Sequence, residues 1–101
     1  MESSKNFVIY EGLDYEARLE YNREYLILHL PEVKQFNKTT LMSMLIRLDD
    51  LNDFRIGLGY LELYCAAPED NVKINKLAKR VGFEFFAKEG GLNVYTYKGI
   101  E

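Results

Sequence analysis

Between Asp70 and Val81 apolar residues return at Ile74, Leu77, Ala78 and Val81, the i, i+3, i+4, i+7 spacing that lines one face of an α-helix. Lys79 and Arg80 stand in its last turn, where cations suit the negative helix end, and acids at Glu69 and Asp70 stand before its positive end. Gly82 follows, a residue able to take the left-handed conformation that terminates a helix. Then come two β-rich runs, Phe83-Glu84-Phe85-Phe86 and Leu92 to Tyr97, joined around Gly90-Gly91. A one-sided helix running straight into a strand pair must bury its stripe on a sheet, so the chain is confined to folds that mix the two.

Upstream, Phe7-Val8-Ile9-Tyr10 is a short β-rich run closed by Gly12 and Asp14. Tyr15 to Tyr21 alternates, with Tyr15, Ala17, Leu19 and Tyr21 on one face and charged residues on the other, the pattern of a half-buried strand. Asn22-Arg23 reads as a two-residue hairpin loop into Tyr25 to Leu30, a strand apolar on both faces except at His29 and ended or edged by Pro31. Asn37 or Thr39 caps a helix over 38–52, with Leu41, Met44, Leu45 and Leu48 as its stripe and Met42 and Ile46 widening it. Gly57 and Gly59 punctuate the return to a strand over Tyr60 to Ala66, where Leu61, Leu63 and Cys65 share a face. The predicted order is β-β-β-α-β-α-β-β: an α+β domain with a mixed sheet and at least one parallel crossover.

A length of 101 residues makes one domain, and 48% apolar with 29% charged residues is globular rather than disordered composition. No run of 18 apolar residues suggests a membrane helix, and Met-Glu-Ser-Ser-Lys lacks the order of a secretory signal. With one cysteine, Cys65, no internal disulfide forms, so a cytoplasmic location is expected. One His and one Cys make a zinc site improbable. The net charge of −3 argues against general nucleic-acid binding, leaving only the Lys73, Lys76, Lys79, Arg80 stripe as a candidate contact. Residues 1–32 carry seven acids against three bases, which reads as a solvated sheet face or as an acidic docking surface for a basic partner.

Taken position by position, Asn71, Ile74, Leu77, Arg80, Gly82 and Phe83 match in order and spacing the penultimate helix and Gly-Phe strand of GNAT-type N-acetyltransferases, which the chain resembles over most of residues 7–99. A weaker similarity is to small GNAT-like proteins of tailed bacteriophages. The resemblance implies a GNAT-like mixed sheet with two core helices, lacking the family's usual N-terminal helices. It also implies acetyl-coenzyme A as cofactor, held by a Gln/Arg-x-x-Gly-x-Gly/Ala loop. Here that stretch is Gln35-Phe36-Asn37-Lys38-Thr39-Thr40, where Gln35 matches but Lys38 and Thr40 replace the small residues that let backbone N–H groups approach phosphate. Asn71 would lie near the pantetheine arm and Lys76 near the 3′-phosphate. His29 would be the base for the acceptor amine. Ala78 stands where the family commonly has a proton-donating Tyr, and an unaided thiolate departs more slowly by roughly 10²–10⁴. The expected function is therefore a degenerate GNAT-like domain that works by protein binding, as a phage-encoded modulator of a host protein or a homodimer. The alternative is a small acetyl-coenzyme A-dependent N-acetyltransferase.

Overall fold

The structure is a computed structural model that describes residues 5–35 and 37–98. Six strands and two helices follow one another as β1 (Lys5–Glu11), β2 (Tyr15–Tyr21), β3 (Leu26–Val33), α1 (Lys38–Leu58), β4 (Leu63–Pro68), α2 (Val72–Arg80), β5 (Phe83–Glu89) and β6 (Leu92–Tyr97). They form one mixed sheet in the order β1-β2-β3-β4-β6-β5. All neighbours are antiparallel except β3 and β4, which run parallel because α1 carries the chain back across the sheet. The predicted α+β class and element order are therefore present.

The alternation in β2 does what its period demands. Tyr15, Ala17 and Leu19 are buried, and Leu26, Leu28 and Leu30 of β3, Leu63, Cys65 and Ala67 of β4, Tyr95 of β6 and Phe83 of β5 join them on the same side. Both helices pack there. Met44 and Leu48 of α1 are buried in this cluster, and with Leu51 they face Ile9, Tyr15, Leu28 and Leu30. Ile74, Leu77 and Ala78 of α2 are buried in it too. Asn75 of α2 makes the polar link to the second half of the sheet. Its Nδ2 donates to the carbonyls of Pro68 (2.8 Å) and Asn71 (2.7 Å), while its Oδ1 accepts from the Tyr95 hydroxyl (2.6 Å) and Asn93 Nδ2 (2.8 Å). That is a full complement for an amide side chain.

Several expectations are corrected. The β2–β3 connection is four residues long, not two: Asn22 Oδ1 accepts from the backbone N–H groups of Glu24 and Tyr25 and folds the loop on itself. Strand β3 passes through Pro31 to Val33, since a register shift against β2 between His29 and Glu32 puts Pro31 in a bulge where no ladder bond is owed. Helix α1 runs six residues past Asn52 and through Gly57, stopping only at Gly59, whose φ of +86° is the left-handed cap. Met42 and Ile46 do not widen its stripe: they are 50% and 61% exposed. Leu61 is 91% exposed, because β4 begins at Leu63 rather than Tyr60. The cap of α2 is Asn71, with no acid in the first turn, whereas Gly82 takes φ +109° as expected. Gly90 and Gly91 both have positive φ and close the β5–β6 hairpin in two residues.

Candidate functional site

The parallel pair is the sheet's point of departure from regularity. β3 and β4 pair only over Leu26↔Leu63 to His29↔Ala66. Beyond that, β3 stays with β2 up to Val33↔Tyr15, and β4 stays with β6 up to Pro68↔Leu92. The strands therefore part, leaving a notch at their C-terminal ends, where open α/β sheets commonly receive ligands. The helices that follow β3 and β4 both begin at this end.

Two different surfaces flank the notch. On the helix side, Val33, Lys34, Lys73, Lys76, Leu77 and Arg80 wall a groove of about 420 Å³. Four cations converge on it, so it suits an anionic group. Lys76 is thus brought beside the residues that immediately precede Gln35. Gln35, Asn37, Lys38 and Thr39 are exposed but do not wall this groove, and Phe36 lies outside the described residues. Thr40 is buried at 2% exposure, with its N–H donating to Asn37 Oδ1 at 2.9 Å. Asn71 does the same for Ile74 N–H at 3.1 Å. Each helix therefore spends an N-terminal amide on its own cap, and one fewer N–H is available to an anion. Ala78 is fully buried in the core, so no proton donor stands there.

On the opposite side no described helix covers the sheet, because both helices occupy the other face. Its middle is apolar: Ile27, Tyr64, Ala66, Phe86 and Val94 line two adjoining depressions of about 440 and 650 Å³. Tyr64 and Phe86 pack ring against ring at 5.8 Å. Glutamates Glu20, Glu24 and Glu89 stand in their walls.

His29 lies on this face at the last paired position before the strands part. Its Nε2 is 2.8 Å from Glu20 Oε1. A carboxylate oxygen accepts, so Nε2–H is the donor of this pair and Glu20 fixes the orientation of the ring. The sequence alone does not say which carboxylate meets His29, because that depends on register. A two-residue loop would set Glu16 opposite His29; the four-residue loop sets Arg18 opposite and Glu20 one diagonal away. Cys65 is inert by comparison, fully buried with its thiol pushed up to about 12 by burial. Among the described residues no cluster of three or more His, Cys, Asp or Glu is placed to hold a metal. Nor is any helix among them long and apolar enough to cross a membrane.

No protein-family profile, curated protein or solved structure matches the chain.

Proposed function

We propose that the chain is a degenerate GNAT-like domain that works by binding another protein through the uncovered face of its sheet. The observation that carries this reading is the apolar middle of that face, Ile27, Tyr64, Phe86 and Val94, left bare by two helices on the other side. Sheets bury their apolar faces, and a bare one is an interaction surface by default. The buried Thr40, the self-capped α1 start and the buried Ala78 support the same reading, since each removes a part that acyl transfer from coenzyme A would use. Likeness to the small phage-encoded members extends the proposal to a modulator of a host protein.

Calorimetric titration with acetyl-coenzyme A tests the proposal. No heat is expected up to millimolar ligand, and a micromolar Kd would overturn it. The second reading, a small acetyl-coenzyme A-dependent N-acetyltransferase, is favoured by one specific arrangement. The basic groove of Lys34, Lys73, Lys76 and Arg80 lies on one side of the notch and the Glu20–His29 pair on the other. On that reading Lys76→Glu would abolish cofactor binding, and His29→Ala would lower turnover with binding intact.

A further inference from the structure

Resting on the protein-binding reading, we infer that the bare face takes a cationic amphipathic α-helix, apolar side down on Ile27, Tyr64, Phe86 and Val94 and basic side toward Glu20, Glu24 and Glu89. Three features of the face carry this.

The first is charge. The depressions are lined by Glu20, Glu24 and Glu89, with His29 the one basic side chain among their lining residues, and strand alternation adds Glu16, Glu84 and Arg18 to the face. Arg18 is held by Glu16 at 2.8 Å and His29 by Glu20 at 2.8 Å. Glu24, Glu84 and Glu89 have no ion-pair partner among the described residues. A second copy docking by this same face would set these carboxylates against each other, so the face selects a basic partner over itself.

The second is hydrogen bonding. Over Leu26–His29 of β3 and Tyr64–Ala66 of β4 the middle strands have their backbone paired on both sides, and they part only past His29 and Ala66, at the notch. Over that paired stretch the face offers side chains only. An extended peptide lying on it would leave a row of its own N–H and C=O groups unpaired against an apolar floor, whereas a helix satisfies its backbone internally.

The third is length. The two depressions share Glu20, Ile27, Glu89 and Val94, so they form one trough, running from Glu24 and Tyr25 at one end to Gly90 and Leu92 at the other. Tyr25 to His29 along β3 measures about 13 Å at 3.3 Å per residue, and the flanking loops extend this to roughly 16 Å. That is about three turns of α-helix, enough for one apolar stripe of three or four side chains.

The probes are two 14-residue amidated peptides with the same leucine stripe, one with lysine at every polar position and one with glutamate. Each is titrated into the full chain while backbone amide signals are followed by NMR. The lysine peptide is expected to shift the signals of Ile27, Tyr64, Ala66 and Val94, with an affinity at least about tenfold above that of the glutamate peptide and falling as salt rises. Reversing two exposed rim charges, Glu24→Lys with Glu89→Lys, is expected to exchange the preference. Neutralising Asp49, Asp50 and Asp53 on the far helix α1 is expected to leave it unchanged, which separates the trough from general attraction to an acidic chain. Equal binding of both peptides at the trough would overturn the cationic assignment while leaving the protein-binding reading standing. Shifts confined to α1, or binding of neither peptide, would overturn the helix-docking inference itself. Micromolar acetyl-coenzyme A binding is the separate result that removes the underlying reading.

Discussion

Replacing Asn75 with Leu is the sharpest test of how the second half of the sheet is held to α2. The two side chains are close in size, so the change is mainly a loss of four hydrogen bonds. These losses are unequal. The Pro68 carbonyl keeps its bond from the Asn71 N–H (3.1 Å), and the Asn71 carbonyl keeps that from the Asn75 N–H (3.1 Å), so neither is orphaned. Asn93 loses the acceptor of its Nδ2, and its Oδ1 is already buried without a partner. Tyr95 is 1% exposed and shares its hydroxyl between Asn75 and Asn93, so loss of the Asn75 acceptor falls mainly on this buried pair. A buried polar group that loses its partner costs about 1–3 kcal/mol, giving a working value of about 2 kcal/mol for Asn75→Leu. Tyr95→Phe alone removes the hydroxyl but leaves Asn75 bonded to Asn93, for about 1 kcal/mol. The double variant should lose less than the sum, because a phenyl ring in place of the Tyr95 phenol no longer needs the acceptor, with a coupling of about 1 kcal/mol. Urea unfolding at constant m measures all three; with m of about 1–3 kcal/mol/M, the Asn75→Leu midpoint should fall by about 1 M. A cost below about 0.5 kcal/mol, or purely additive variants, would refute the assignment of Asn75 as the polar tie.

Two glycines near the end of α1 should respond with opposite signs to alanine. Gly57 is inside the helix and a Cβ added there would meet nothing within 4 Å, so Gly57→Ala should stabilise by about 0.5–1 kcal/mol; Gly59, at φ +86°, should lose about 1–2 kcal/mol on the same change, both read from thermal midpoints. Alkaline pH should destabilise the fold. Cys65 ionises near 9.0 when exposed but only near 12 when buried, so above 9.0 the unfolded chain holds fewer protons and stability falls, an effect absent below 9.0 and complete by about 12. Burial also raises Tyr95 and Tyr97 from 10.0, with the same sign. Cys65→Ala should flatten the fall in urea midpoint between about pH 8 and 10.5, and an unchanged slope would contradict the burial argument.

Residue patterns made the faces legible where period alone decides them. Tyr15, Ala17 and Leu19 point into the core because alternation leaves no other choice, and α2 and the Gly90-Gly91 turn follow from equally local chemistry. What local pattern does not hold is the outcome of competition between distant elements. Gly57 reads as a stop, yet α1 continues through it, because one glycine costs a helix only about 1 kcal/mol. Leu61 looks like part of an apolar strand face, but it precedes the first residue that β3 pairs with. The site suffered most. Whether Glu20 reaches His29 turns on a two-residue change in loop length, which keeps every side chain on its face and alters only its neighbours. Thr40 reads as a phosphate-loop position and is instead buried, on the same helix as the core residues Met44 and Leu48.

The short parallel ladder between β3 and β4 also divides the chain in time. Everything before it, β1 to α1, is contiguous in sequence and can assemble as synthesis proceeds. During that interval the inner edge of β3, carrying Leu26 and Leu28, has no neighbour. Unlike β1, whose outer edge is exposed in the finished sheet and carries Lys5 and Asn6, this edge has no charged residue among Leu26, Ile27 and Leu28 to deter a foreign strand. The arrival of Leu63 to Ala66 is thus more than the completion of a sheet: it shields an adhesive edge of the nascent chain, and the 34–62 stretch between the two strands sets how long that edge waits.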